Sequence, residues 1–230
     1  QVKKMPINNL GRNIISLIMP ICCLGCGQES DWICSPCRRD LLTQREELCF
    51  CGKAGSDGLC AKHKEQLKLD GLTTLFSYAA PAARELIHQI KYRGHTDAVN
   101  FLARYYQKKV LARLPRGEWA VAAVPLSKER RRTRGFNQSK LIAKKLAEPV
   151  YDYCELLTKK RDTKPQVKLR RAERQKNLTK AFAIKPGIEI PEQVILVDDV
   201  ITTGSTLKEA VKVLRKAGAV KVWALTVAHG

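Results

Sequence analysis

The chain has 230 residues, enough for one or two domains, and 44% of them are apolar, so it has the material for a packed core. Its net charge of +20 points to polyanionic partners, a nucleic acid or a phosphorylated substrate, and to salt-dependent binding. No apolar run reaches the roughly 18 residues of a membrane span, so no transmembrane segment is expected.

In chain order, Asn13 to Pro20 follows Lys3, Lys4 and Arg12 and has the outline of a signal peptide. No small-residue cleavage site follows it, so a short amphipathic helix packed on the next segment is expected. Eight of the nine cysteines then fall within residues 22–60, marking residues 1–68 as a separate module. Cys23-x2-Cys26 and Cys34-x2-Cys37 are two knuckles whose thiolates can converge on one tetrahedral Zn²⁺. Gly25 and Gly27 allow the tight turn of the first knuckle, whereas Cys22 has the wrong spacing to pair with Cys26. Cys49, Cys51, Cys60 and His63 form a second group with a tighter C-x-C pair. Missing export signals and C-x2-C spacing favour zinc in a reducing cytoplasm over disulfides. Four-ligand sites have no open position, so their role is structural or partner docking.

Residues 69–230 read as an α/β domain. Leu72 to Tyr78 is a strand, Pro81 opens a helix ending at Lys91-Tyr92-Arg93-Gly94, and Phe101 to Val110 suggests another helix. Trp119 to Val124 is a buried strand, a helix spans Phe136 to Leu146, Gln193 to Val197 is the central strand, and Lys221 to Val227 the last. Alternation of strands and helices implies a mostly parallel sheet with helices on both faces. Cys154 reads as a packed thiol, and His88 and His95 as ordinary surface or satisfied histidines. No G-x-G-x-x-G occurs, which disfavours a dinucleotide site.

Two basic segments interrupt this pattern. Residues 128–134 carry five Lys or Arg against one acid, in a loop between the strand ending at Val124 and the helix from Phe136. Cations and helix N–H groups at a sheet edge make a diphosphate cradle. Residues 157–180 carry ten Lys or Arg against two acids: Lys159, Lys160, Arg161, Lys164, Lys168, Arg170, Arg171 and Arg174 lead the set. So long a connection is a lid or a nucleic-acid track.

The run Val194 to Thr206 carries the most chemistry. A strand ends in Asp198 and Asp199, then Thr202-Thr203-Gly204-Ser205-Thr206 turns into a helix from Leu207. Paired acids at a strand's carboxyl end can accept hydrogen bonds from two sugar hydroxyls. The turn offers N–H groups and hydroxyls to a 5′-phosphate at a helix N-terminus.

This run resembles the fingerprint of type I phosphoribosyltransferases, which bind 5-phosphoribosyl-1-pyrophosphate (PRPP). The resemblance gives Asp198 and Asp199 the ribose hydroxyls, and Thr202, Thr203, Gly204, Ser205 and Thr206 the 5′-phosphate. Leu126, Lys128 and Arg130 would join the ligand's phosphate cradle. Val124-Pro125-Leu126, Arg134-Gly135-Phe136-Asn137-Gln138, the Cys-rich module and Ile87 to Gly94 together resemble the ComF family of competence proteins. That resemblance implies cytoplasmic handling of incoming single-stranded DNA at the inner membrane, beside a ComFA-like helicase, with Zn²⁺ in the module and Mg²⁺ accompanying PRPP. Arg131, Arg132, Arg134 and the basic residues from Lys159 to Arg174 would then hold the DNA backbone. Two other readings stand: an active phosphoribosyltransferase releasing pyrophosphate, and a non-catalytic zinc-finger adaptor.

Overall fold

In this computed structural model the described residues are 20–42, 48–93, 95–109, 117–148, 150–160 and 181–230. The helix expected over 13–20 (all but Pro20), Gly94, Val110, and Arg161, Lys164, Lys168, Arg170, Arg171 and Arg174 lie outside them. The elements run α1 (Ser35–Leu42), α2 (Ala61–Leu67), β1 (Gly71–Ser77), α3 (Pro81–His88), a π-helical turn (Gln89–Arg93) and α4 (Thr96–Lys109). There follow β2 (Ala120–Ala123), α5 (Lys128–Arg134), α6 (Gln138–Ala147), β3 (Asp152–Tyr153), β4 (Leu157–Lys159), β5 (Phe182–Ile184), β6 (Gln193–Ile201), α7 (Ser205–Lys216) and β7 (Lys221–His229).

Five strands form one parallel sheet in the order β1-β7-β6-β2-β3. The apolar run of β6 explains its central place. Strands covered on both faces need apolar residues at every position, and Val194 to Val197 are all buried. Alternate residues serve opposite cores. Ile195, Val197, Trp223 and Leu225 face one, closed by Leu86 and Ile87 of α3, Leu102 of α4 and Ile142 of α6. Val194, Leu196, Val222 and Ala224 face the other, closed by Leu207, Ala210, Val211 and Leu214 of α7. The spacing of that last set is one helical stripe. The expected α/β fold, mostly parallel with helices on both faces, is therefore what the chain forms.

The Cys-rich segment packs into both cores. Trp32 and Ile33, beside Cys34, belong to the first, while Cys49, Leu59, Cys60 and Leu67 belong to the second. Asp57 O also accepts a hydrogen bond from Leu72 N at 2.8 Å, which ties the segment to edge strand β1.

Three sequence expectations need correction. The basic stretch 128–134 is a helix, α5, not a loop. Ser127 caps it, accepting from Arg130 N at 3.3 Å, and Gly135 ends it at φ 77, a left-handed conformation suited to glycine. β6 does not end at the acids but runs on to Ile201, because Val200 and Ile201 stay in register with Ala228 and His229. The segment read as one long connection has paired ends: Leu157, Thr158 and Lys159 lie antiparallel to Ile184, Ala183 and Phe182.

Candidate functional site

The site forms at the carboxyl ends of β6 and β2, which are neighbours in the sheet. Asn137 positions one side of it. Its Nδ2 donates to Val124 O at 3.0 Å, fastening the chain to the end of β2. Its Oδ1 accepts from Ser139 N at 3.0 Å and Lys140 N at 3.4 Å, which starts α6. The next two side chains consequently reach across to β6. Ser139 Oγ donates to Asp198 Oδ1 at 3.2 Å, and Gln138 Nε2 donates to Asp199 Oδ2.

The other side comes from the π-helical turn. Lys91 Nζ lies 3.0 Å from Asp199 Oδ2, a half-buried ion pair. Beside it the Arg134 guanidinium stacks on Tyr92, 5.1 Å from the ring centre, and Arg134 Nη1 donates to Gln138 Oε1 at 3.2 Å. The two acids therefore differ. Burial and then the neighbouring Asp199 push the Asp198 carboxyl up to about 7, against the hydrogen bond from the Asp199 N–H, the charge of nearby Lys91 and the hydrogen bond from Ser139. Burial also presses Asp199 upward, but Lys91, Gln138 and Arg134 outweigh it and hold that carboxyl below its usual range. The pair can accept two hydroxyl donors while carrying less than its full negative charge.

After β6 the chain turns through Thr202 and Thr203 into α7. The N-cap of α7 is Gly204, at φ 72, with no side chain to fill the helix N-terminus. Thr203 Oγ1 and Ser205 Oγ are 2.8 Å apart, and Thr206 follows on the first turn. Ser205 N–H donates to Thr203 Oγ1 at 3.4 Å, so hydroxyls and the first N–H of α7 gather at one helix N-terminus, an arrangement suited to a phosphate.

The structure brings Asp198, Asp199 and the turn 202–206 together on consecutive parts of one strand–turn–helix. Leu126 is half-buried at the end of β2, and Lys128, Arg131 and Arg132 are exposed on α5, with Arg130 and Arg134 half-buried. Lys159 sits in β4, its Nζ 5.5 Å from the centre of the Phe182 ring, and Lys160 is exposed just beyond it. Lys91, Gln138 and Ser139 were missed as site residues from the sequence. The signal lay in K-Y-R-G and R-G-F-N-Q-S, which place a cation and short polar groups at element ends. Also missed was a groove of about 520 Å³ between α2 and α7, lined by Glu65 and Lys68 on one side and by Lys208, Lys212 and Arg215 on the other.

Both Cys-rich groups converge as expected. The donor atoms of Cys23, Cys26, Cys34 and Cys37, and those of Cys49, Cys51, Cys60 and His63, all lie within 4.8 Å of one another in each group. Cys26 and Cys34 sulfurs are 3.7 Å apart, and those of Cys51 and Cys60 are 3.9 Å apart. A tetrahedral ion with metal–sulfur bonds of about 2.3 Å has sulfur–sulfur edges of about 3.8 Å. His63 presents Nδ1, 3.2 Å from Cys49 Sγ and 3.4 Å from Cys60 Sγ. In the first group Gly25 is required by space, since a Cβ there would stand 2.8 Å from Cys37 Sγ. Burial raises the Cys23 thiol, but N–H donors from Cys34, Cys26 and Gly25 outweigh it and bring it to about 6. The residues present fit two closed four-donor metal sites. Among the described residues, no helix is long and apolar enough to cross a membrane.

A family model for the phosphoribosyl transferase domain matches residues 133–229. DNA utilization protein YhgH of Escherichia coli K12 is 34% identical over 211 residues, which cover 84% of this chain and 89% of that protein. Competence protein F of Haemophilus influenzae is 31% identical over 212 residues, again 84% of this chain and 89% of the relative. Competence protein ComFC of Streptococcus pneumoniae is 36% identical over 102 residues, 44% of each chain.

Proposed function

The chain belongs to the ComF family of phosphoribosyl transferase-domain proteins, and on that premise we propose that it acts in competence and DNA uptake, binding a 5′-phosphoribosyl ligand. One observation carries the reading. Asp198 and Asp199 are followed, within a single strand–turn–helix, by a hydroxyl-rich turn at a helix N-terminus whose cap is Gly204. The acids would take the ribose hydroxyls, and Thr202 to Thr206 the 5′-phosphate of PRPP or of a terminal nucleotide. Leu126, Lys128 and Arg130 would lie against the diphosphate. Mg²⁺ would accompany the diphosphate and offset its charge.

Single-stranded DNA is the macromolecular partner of this proposal. The exposed cations of α5 (Arg131, Arg132) with Arg134, and Lys159 and Lys160 at the mouth of the basic segment, would follow its backbone, and the exposed Tyr92 beside Arg134 would contact a base. The relatives named competence protein F and ComFC support an uptake role. Zn²⁺ would be held by Cys23, Cys26, Cys34 and Cys37, and by Cys49, Cys51, Cys60 and His63, in a structural capacity. Residues 1–68 would form the metal module and 69–230 the ligand-binding domain, at work in the cytoplasm near a helicase-like partner.

The test is fluorescence anisotropy of labelled single-stranded DNA, titrated with salt and with PRPP and Mg²⁺ as competitor. Tight, salt-sensitive binding that PRPP weakens supports one shared site. Absence of DNA binding at physiological salt, with pyrophosphate released from PRPP in the presence of an acceptor, favours an active transferase instead.

A further inference from the structure

Asp199 meets its ligand with an ammonium already seated on it. The Lys91 and Asp199 side chains are only 17% and 15% exposed, so their contact is screened far less than a surface pair. Lys91 is delivered by the π-helical turn Gln89–Arg93, anchored by the buried side chains of Gln89 and Ile90. Single π-helical turns are rare and recur at functional sites, because the added residue re-aims a side chain. A second cation is close by: Arg134 is held by Tyr92 and by Gln138 Oε1, and Gln138 passes its own amide to the same Asp199 oxygen.

Both cations gather on Asp199. Asp198 is held instead by neutral donors, Ser139 Oγ and the Asp199 N–H. A sugar diol can therefore reach Asp198 without breaking an ion pair. Full engagement of Asp199 Oδ2 means displacing Lys91. A displaced ammonium in a half-buried site needs another anion within reach of its flexible stem.

We propose that Lys91 is a specificity-determining residue, which makes ribose binding at Asp199 conditional on a second anionic group, a diphosphate, on the C1 side of the sugar. This rests on the phosphoribosyl reading of the site. With the diphosphate present, the ammonium leaves the carboxylate for the anion. Without it, the ribose hydroxyls compete against an intact ion pair. The site consequently prefers a diphosphorylated ribose over the same sugar phosphate lacking that group.

The experiment is calorimetric titration of PRPP with Mg²⁺, and separately of ribose 5-phosphate, into the wild type, Lys91→Met and Lys91→Gln. Lys91→Met keeps the aliphatic stem, while Lys91→Gln keeps a donor toward Asp199. The expected result is a crossover in both variants. PRPP affinity falls about tenfold or more, the scale of one lost charge-assisted contact, while ribose 5-phosphate affinity rises. A fall for both ligands makes Lys91 a structural prop and overturns the proposal. A rise for both makes it a plug and also overturns it. Failure of the wild type to bind either ligand sinks the phosphoribosyl reading itself. If Lys91→Met does not fold, as seen by circular dichroism, the Lys91→Gln pair of titrations decides alone.

Discussion

Leu67, the last residue of α2, closes directly against Gly204, the N-cap of α7: a Cβ at Gly204 would stand 2.8 Å from Leu67 Cδ2 and 3.2 Å from Cδ1. The helix that begins among the ligands Cys60 and His63 thus forms a wall of the phosphate turn. Gly204→Ala is expected to fail twice, through this collision and through φ 72, which costs an L-residue roughly 1–2 kcal/mol. Leu67→Ala alone, at a buried position, should cost roughly 2–5 kcal/mol. The double variant should be less destabilised than the two single changes summed, by about 1 kcal/mol, because the collision is gone. Denaturant midpoints measure the cycle, and strict additivity would show that the contact does not carry strain.

The two metal groups should be separable. We expect two equivalents of zinc in the purified protein, with Cys34→Ser and Cys60→Ser each losing one, as read by chelator release. Their optical signatures should differ. Trp32, Trp119 and Trp223 all belong to the first core, which Ile33 and Cys34 adjoin. Cys34→Ser should red-shift tryptophan emission, whereas Cys60→Ser, facing the second core, should leave it nearly unchanged. Equal shifts in both variants would mean that the two groups stabilise one common unit.

Much of this was legible in the sequence, for identifiable reasons. The four-residue run Val194 to Val197 could only be a strand covered on both faces, and the acids after it stood out against that background. Cysteine spacing fixed both donor groups, since four ligands close in sequence leave few alternatives. What escaped notice depended on contacts between distant segments. Charge density made 128–134 look like a basic loop cradling a diphosphate, although Ser127 and Gly135 are sound helix-end residues flanking it. Lys91 read as the end of an ordinary helix, because nothing local announces a π-helical turn or an acid 108 positions away that the turn faces. Trp32 and Ile33 read as module residues, yet their apolar surface finds its partners in the sheet domain.

Asn137 does two jobs that can be separated by substitution. Asn137→Asp keeps the oxygen that caps α6 but gives up the donor to Val124 O. Asn137→Ala removes both and should cost about 1–2 kcal/mol, the usual scale for a lost N-cap plus an orphaned carbonyl. Ligand affinity should fall in both variants, since Gln138 and Ser139 are aimed by this anchor. Thermal denaturation and PRPP titration distinguish the two contributions. An Asp variant with full affinity would show that the cap alone positions the acid pair's partners.

The raised carboxyl of Asp198 makes a signed prediction. Burial and then Asp199 push it up to about 7 from an ordinary 3.8. The charged groups facing the pair are Lys91 from the π-helical turn and Arg134 from α5, both acting chiefly on Asp199. The unfolded chain releases this proton near its ordinary value, while the folded chain keeps it until about 7. This group therefore contributes a stability that declines as pH rises from about 4 to 7 and is level above that. Ligand binding runs the other way, because an ionised carboxylate accepts a ribose hydroxyl more strongly than a protonated one. PRPP affinity should rise between about pH 6 and 8, beyond the rise caused by the ligand's own phosphates, which titrate near 6. Asp198→Asn should abolish both trends, leaving only the ligand's share. Affinity measured against pH in the two proteins is the check, and parallel profiles would remove Asp198 from the binding reaction.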